Sequence, residues 1–247
     1  MCGCSLAHNV HLGHGIYPLG PGPTPDDQKL HRVTQIVIDG LRRPLSDVRI
    51  LDLACLEGLY AVEFARRGAE VVAIEGRRAN LAKVEIAQAA WHLDRLTLHQ
   101  DDVRHLSRER HGTFDVVLCL GMLYHLPAPD VFRFVEQIGS VCRHLAVFDT
   151  HISLTGEEQR EDRGTVYWGQ TFREHPADST PAERLQGRWS SLDNETSFWL
   201  TRGSLFSLLE RTGFSSAFEC VLPAESNKPN DRLTVLAYRP HQSTDEF

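Results

Sequence analysis

Acidic residues, a tyrosine and histidines recur at the ends of apolar runs in this chain. Asp52 lies in the run Ile50, Leu51, Leu53. Glu75 closes Val71-Val-Ala-Ile74. Asp101 and Asp102 follow Leu96-Thr-Leu98. Tyr124 and His125 come just after Phe114-Asp-Val-Val-Leu-Cys-Leu-Gly121, and Asp149 and His151 end Leu145-Ala-Val-Phe148. These residue types suit two tasks. A carboxylate about 20 residues after a nucleotide-binding turn, at the end of the next strand, accepts bonds from ribose hydroxyls. Glu75 has that spacing from Ala54 and Cys55. A histidine near neutral pKa is a general base for a hydroxyl. His125 and His151 are the two candidates. Asp149 could orient His151, or join both histidines around a divalent ion that polarises a hydroxyl.

The turn that would meet the nucleotide is Ala54-Cys-Leu-Glu-Gly58. It is not the dinucleotide fingerprint, because Ala54 and Leu56 stand where glycines would let a pyrophosphate lie on the backbone. A nucleoside without a phosphate remains, and S-adenosylmethionine is the candidate. An ordinary strand-to-helix turn is the alternative. Asp52 would sense the methionine amino group. Glu57 and Gly58 would form the pocket wall, with glycine where a Cβ would obstruct close approach.

The elements that must position these groups can be read from periodicity. Met1 to Pro25 is rich in Gly, Pro and His without a helical or strand period. Its Cys2, Cys4, His8, His11 and His14 lack the paired spacing of a metal site, so a loop with incidental histidines is expected and no metal is assigned. Asp26 and Asp27 open a helix to about Leu41, with Leu30, Val33, Ile36, Val37 and Leu41 on one face. Residues 1–47 thus form an arm and a helix. Strand, helix and strand follow through Glu75. A helix from Arg77 to Trp91 turns Leu81, Val84, Ile86, Ala87 and Ala90 inward. The run from Phe114 is continuously apolar and should be a central strand. A helix over Val131 to Ile138 precedes the fifth strand. Strands alternating with helices predict a doubly wound, mostly parallel α/β sheet of Rossmann-like type, with the site on the rim at the strand ends.

The pattern breaks over residues 152–197. Tyr167, Trp168, Phe172 and Trp189 are interleaved with charge there, and a connection this long reads as a lid or insertion after strand 5. Thr201 caps a helix through Arg211, and Gly213 ends it. Ala217 to Leu222 and Arg232 to Tyr238 predict an antiparallel pair, giving seven strands in all. The polar tail after Pro240 is expected to fray. No second domain is expected within 1–247.

Composition narrows the partners. The 247 residues carry a formal net charge of −7 and a pI near 6.0. That gives no general attraction to phosphate polymers, which disfavours a nucleic-acid partner. No apolar run reaches the roughly 18 residues of a membrane span. The N-terminus lacks a signal-peptide pattern, and the six cysteines are scattered, so a cytoplasmic protein with free thiols is expected. The sequence does not set an oligomeric state.

The motifs, taken in order, resemble the class I S-adenosylmethionine-dependent methyltransferases. Leu51-Asp-Leu-Ala-Cys-Leu-Glu-Gly58 resembles their first motif, usually written with glycine at the position of Ala54. Glu75 matches the ribose-binding acid, Gln100-Asp-Asp-Val103 the adenine stretch, and Phe114 to Leu126 the fourth motif. The resemblance covers about Val48 to Tyr238. It implies cofactor contacts from Asp52, Ala54, Glu57, Gly58, Glu75, Gly76, Asp101, Asp102, Val103, Leu120, Gly121 and Tyr124, with Asp102 as partner of the adenine amino group. Within that fold, Gly121-Met-Leu-Tyr-His125, the segment His8 to Ile16 and Phe198-Trp199 are most similar to the tRNA wobble-uridine methyltransferases. Members that use a carboxylated cofactor resemble a Tyr-His followed by a basic residue. Leu126 departs from that and implies plain S-adenosylmethionine, with S-adenosylhomocysteine as product. The reading is O-methylation of a small-molecule hydroxyl, of natural-product or sugar-like type, with a divalent metal not favoured. An RNA methyltransferase, reading RNA through Arg160, Arg163, Arg173, Arg184 and Arg188, is the first alternative. A non-catalytic nucleotide-binding α/β module is the second.

Overall fold

A computed structural model describes residues 7–13, 15–20, 24–221 and 228–240. Cys2, Cys4, His14, the tail after Pro240 and residues 222–227 of the loop before the last strand lie outside them. Helix α1 (Pro25–Leu41) starts with a proline, where the missing N–H costs nothing. It buries Leu30, Val33 and Val37 and ends where Arg42 turns left-handed, two residues before Pro44. Strand β1 (Arg49–Leu53), helix α2 (Leu59–Arg66), strand β2 (Glu70–Glu75), helix α3 (Arg78–Trp91) and strand β3 (Leu96–Gln100) follow. Then come helix α4 (Arg108–His111), strand β4 (Phe114–Leu120), helix α5 (Asp130–Val141) and strand β5 (Cys142–His151).

Residues 152–197 do not form an irregular connection. They hold strands β6 (Glu158–Asp162) and β7 (Thr165–Arg173), helix α6 (Pro181–Gln186) and the start of strand β8 (Thr196–Leu200). These strands make an antiparallel sheet of their own, in the order β6-β7-β8. Helix α7 (Arg202–Arg211) is capped by Thr201, whose Oγ1 accepts the Ser204 N–H at 3.3 Å. Strands β9 (Ser216–Glu219) and β10 (Arg232–Tyr238) close the chain as the expected antiparallel pair.

The main sheet has seven strands in the order β3-β2-β1-β4-β5-β10-β9, as a Rossmann-like methyltransferase fold requires. β1 with β2 and β2 with β3 are parallel, and β10 runs antiparallel to both β5 and β9. The continuously apolar β4 is the middle strand, because only a strand covered on both faces can bury every residue from Phe114 to Cys119. The chain divides into two compact units. The first takes in residues 1–105, 116–118 and 222–226, and the second the remainder.

Two inward assignments are corrected. On α3, Leu81, Val84 and Ala87 are buried, but Ile86 is 60% exposed and Ala90 is also exposed. Successive helical residues turn by 100°, so Ile86 and Ala90 face away from the stripe that Leu81, Val84 and Ala87 define.

Gly58 shows how tightly α2 and α3 are set within the first unit. Its φ is +81°, and a Cβ there would lie 2.8 Å from Val84 Cγ1. A left-handed conformation costs an L-residue roughly 1–2 kcal/mol, and overpacking adds about 1–3 kcal/mol. Gly58→Ala is therefore expected to lower stability by about 2–5 kcal/mol in urea unfolding. Added to Val84→Ala, it should cost clearly less than the two single changes summed. A strictly additive double mutant would show that the Val84 contact is not the cause.

Candidate active site

The first unit gathers carboxylates around the turn between β1 and α2. Asp52, on β1, is 1% exposed, and its Oδ2 accepts the Ala61 N–H at 3.0 Å. This ties the strand to the first turn of α2. Burial pushes the Asp52 carboxyl up to about 7. The Ala61 bond opposes that shift, and the nearby Glu75 charge adds to it. Glu75, at the end of β2, accepts the Leu56 N–H at 3.0 Å, the Arg77 N–H at 2.8 Å and the Asn80 side-chain amide at 3.2 Å. Burial also raises the Glu75 pKa, against these bonds.

The turn itself is left-handed at three positions in five residues: Ala54 at φ +53°, Leu56 at +52° and Gly58 at +81°. Two of the three are not glycine, so the turn carries backbone strain that its surroundings must hold. Glu75 supplies that hold directly by gripping the Leu56 amide.

Glu57 is 2% exposed and faces the N-terminal arm. Its Oε2 accepts the Ala7 and His8 amides at 2.8 and 2.9 Å, and Oε1 pairs with Lys83. Burial would raise its pKa, but the His8, Lys83 and Ala7 bonds outweigh that and hold it below the ordinary glutamate value. The expected pocket-wall residue is thus the anchor of the arm. His11 stacks on Tyr17 at 4.5 Å and meets Trp91 edge-on, while the Trp91 indole N–H donates to the His11 carbonyl at 2.6 Å. Among the described residues no group of three His, Cys, Asp or Glu side chains could hold a metal ion.

Beyond β3, Asp101 Oδ1 accepts the Asp102 N–H and lies 2.8 Å from His105 Nδ1. Asp102 accepts the Arg104 N–H at 2.9 Å and pairs with the Arg104 guanidinium, its Oδ2 lying 2.9 Å from Nε. An adenine amino group would have to share Asp102 with Arg104. Val103 is buried beside them, and Gly76 directly follows Glu75.

The second unit brings the other candidates together. Leu120 ends β4. Gly121, at φ +83°, donates its N–H to the Asp149 carbonyl at 2.8 Å, which joins the end of β4 to β5. Tyr124 packs against His125 at 4.2 Å, His151 at 4.7 Å and Trp199 at 5.7 Å between ring centroids. Trp199, from β8, stacks with His151 at 4.9 Å and with Phe172 at 3.8 Å. Of the other aromatics in the insertion, Tyr167 is fully buried and stacks on Phe132. Trp168 and Trp189 are exposed.

Asp149 has a different role from the one expected. It is fully buried, with Oδ1 accepting from Arg232 Nε at 2.7 Å and Oδ2 from the Thr234 hydroxyl at 3.0 Å. The β5–β10 register explains this, since Thr234 lies opposite Asp149 and Arg232 opposite His151. Asp149 therefore does not orient His151. The carboxylate beside His151 is Asp231, with 3.1 Å between Oδ1 and Nδ1, although the ring nitrogen is not aligned for a hydrogen bond. Burial and the Arg232 charge lower the His151 pKa, against the Asp231 and Asp149 carboxylates. His125 has a partner from the insertion, Glu174, with Nδ1 2.8 Å from Oε2.

Sequence reasoning missed Glu174, Trp199 as a site residue, Asp231 and Arg232. Glu174 carried no positional signal, because the fold of the insertion was not legible, and Trp199 was marked by a family resemblance but given no role in the site. Arg232 opened a strand that was recognised. Pairing that strand with β5 would have placed Arg232 beside His151.

Residues 50–144 match a protein family described as a methyltransferase domain. A ubiquinone biosynthesis O-methyltransferase of Acinetobacter baumannii (strain AYE) is 34% identical over 92 residues, which are 37% of this chain and 39% of that protein. Another, from Azotobacter vinelandii (strain DJ), is 33% identical over 102 residues, 40% of this chain and 44% of that one. The chain thus spans about two fifths of the length of these curated relatives. Among solved structures, the N-terminal domain of EvdMO1, determined in the presence of S-adenosylhomocysteine and D-fucose, superposes with a TM-score of 0.70. It is 24% identical and covers 94% of this chain and 90% of that one. A didemethyltoxoflavin N1-methyltransferase of Burkholderia thailandensis superposes with a TM-score of 0.60, is 16% identical and covers 87% of this chain and 79% of that one. The fold is that of the class I S-adenosylmethionine-dependent methyltransferases.

The buried Asp52 makes a test in the apo protein. Its folded pKa lies above the ordinary value of 3.8. Its contribution to stability is therefore fully present below about pH 4 and is lost as pH rises to about 7. The difference in unfolding free energy between wild type and Asp52→Asn should grow in favour of the variant across that window, then stay level. A difference independent of pH would mean that Asp52 ionises normally.

Proposed function

We propose that this protein is an S-adenosylmethionine-dependent methyltransferase that methylates a hydroxyl of a small molecule and releases S-adenosylhomocysteine. The observation that carries the reading is the strained left-handed turn at Ala54, Leu56 and Gly58, held by Glu75 from the end of β2. It lies inside the stretch that matches the methyltransferase domain. Glu75 accepts three hydrogen bonds from protein. A carboxylate offers about four acceptor sites, so capacity remains for a ribose hydroxyl. Asp52 would meet the methionine amino group, whose positive charge draws the proton off a carboxyl poised near neutrality. Asp101, Asp102 and Val103 would border the adenine. No phosphate-binding glycine run is present, which fits a nucleoside carrying a sulfonium better than a nicotinamide dinucleotide or a non-catalytic nucleotide module.

On the acceptor side, His125 or His151 takes the hydroxyl proton, and residues 152–197 act as the lid that holds the acceptor. The names of the curated relatives support an oxygen acceptor, and the D-fucose present with EvdMO1 supports a sugar-like one. Charge favours a small molecule over RNA. Asp149, Glu174 and Asp231 lie around the two histidines, with the Arg232 guanidinium paired to Asp149. Three arginines that an RNA reader would need are paired: Arg160 with Glu158, Arg163 with Glu136 and Arg184 with Glu195. The wobble-uridine resemblance then rests on short motifs alone. No helix among the described residues is long and apolar enough to cross a membrane. The free cysteines Cys55, Cys119, Cys142 and Cys220 support work in the reducing cytoplasm.

Calorimetry with S-adenosylhomocysteine tests this reading. The wild-type protein should bind it. Glu75→Gln, which keeps the side-chain volume but not the charge, should weaken binding roughly tenfold to a hundredfold, the worth of a charge-assisted bond. No binding to wild type would overturn the methyltransferase assignment.

A further inference from the structure

We propose that Glu174, supplied by the insertion, is the positioning residue that fixes His125 as the proton acceptor, with its proton on Nδ1 and its lone pair on Nε2. This rests on the methyltransferase reading above and separates two histidines that the sequence left equivalent.

The geometry is specific to His125. Glu174 Oε2 lies 2.8 Å from His125 Nδ1, and the same oxygen accepts the Ser191 N–H at 2.9 Å. The Glu174 side chain is only 7% exposed. Burial favours its neutral form, but the bonds from His125 and Ser191 prevail and hold its pKa below the ordinary range. A carboxylate so held is an acceptor only, so the proton between the two groups belongs to Nδ1. Nε2 then presents a lone pair. Among the described residues Nε2 makes no hydrogen bond, and the side chain keeps 15% exposure.

Two further bonds fix the backbone around the ring. The Asn194 side-chain amide donates to the His125 carbonyl at 2.9 Å, and the Phe198 N–H donates to the Leu126 carbonyl at 2.9 Å. Both come from the insertion or from β8, which follows it. His151 is held differently: Asp231 Oδ1 lies 3.1 Å from its Nδ1 but out of line for a hydrogen bond. Its Nδ1 is sealed without an aligned partner, and its ring is stacked on Trp199 and met edge-on by Tyr124.

The proton balance follows from this arrangement. Bound S-adenosylmethionine supplies an electrophilic methyl on a cationic sulfur: the acceptor oxygen forms the new O–C bond, and the C–S pair leaves with sulfur as a neutral thioether. The hydroxyl proton passes to His125 Nε2. The positive charge then sits on the imidazolium, beside the Glu174 carboxylate that stabilises it. A buried carboxylate is costly unless paired, and this pairing is worth most when His125 is charged.

Nitrogen-15 NMR of the imidazole side chains tests the proposal without an acceptor. In the wild-type protein, neutral His125 should carry its proton on Nδ1, although a free imidazole side chain prefers Nε2. Glu174→Gln, whose amide can donate as well as accept, should return the ring to a mixture rich in the Nε2–H form. Glu174→Asp should restore part of the Nδ1–H form. S-adenosylhomocysteine affinity should stay within about twofold in both variants, as expected for a side chain that bonds none of the carboxylates assigned to the cofactor. A wild-type ring protonated on Nε2, or a tautomer unmoved by Glu174→Gln, would overturn the proposal. If Glu174→Gln does not fold, the wild-type tautomer decides alone. Absence of cofactor binding with an Nδ1–H tautomer would sink the methyltransferase reading and leave the dyad standing.

Discussion

The bond from the Leu56 amide to the Glu75 carboxylate is the constraint on which the first unit turns. A chain leaving β1 must reverse sharply to start α2, and here it does so with alanine and leucine in left-handed conformations. That geometry is unfavourable on its own. It persists because a buried carboxylate at the end of the neighbouring strand accepts the turn's N–H and is itself fixed by Arg77 and Asn80. Asp52 does the matching task on the other side, tying β1 to α2 through Ala61. Burial raises the pKa of both acids, for Glu75 against its three hydrogen bonds and the Arg77 charge.

The second unit is arranged around a different kind of constraint. Asp149 is sealed in the sheet and would be prohibitive without its partners, so β10 must deliver Arg232 and Thr234 in register. That same register puts Arg232 opposite His151, where its charge adds to burial in lowering the histidine's pKa. The insertion adds a sheet of its own, and from it come Glu174 to the edge of His125 and Trp199 to the face of His151. The two histidines thereby acquire unlike surroundings. One has a carboxylate hydrogen-bonded at Nδ1, and the other has a misaligned carboxylate, aromatic packing and a neighbouring cation.

Much of the fold was legible in the sequence because local patterns report burial directly. The unbroken run of β4 marked the middle strand. Thr201 and Gly213 bracketed α7. The acids at strand ends were found because a parallel sheet repeats the same exit geometry at each strand. Where the reading failed, the reason was also local. Ile86 is apolar and helical but lies off the buried stripe of α3. The insertion mixes charge and aromatics without a sustained period, so its strands could not be separated from loop.

What the sequence determined by itself was the alternating α/β order, the tight turn after the first strand and the short list of acids and histidines able to do chemistry. Those follow from residue type and spacing along one chain segment. What only the tertiary structure decided was which of those groups meet. Asp149 went to Arg232, 83 residues away. Glu57 went to the amides of the arm, and Glu174 reached back 49 residues to His125. Such pairings are set by strand register and by the need of every buried charge for a partner, and neither is written in the neighbourhood of the residue itself.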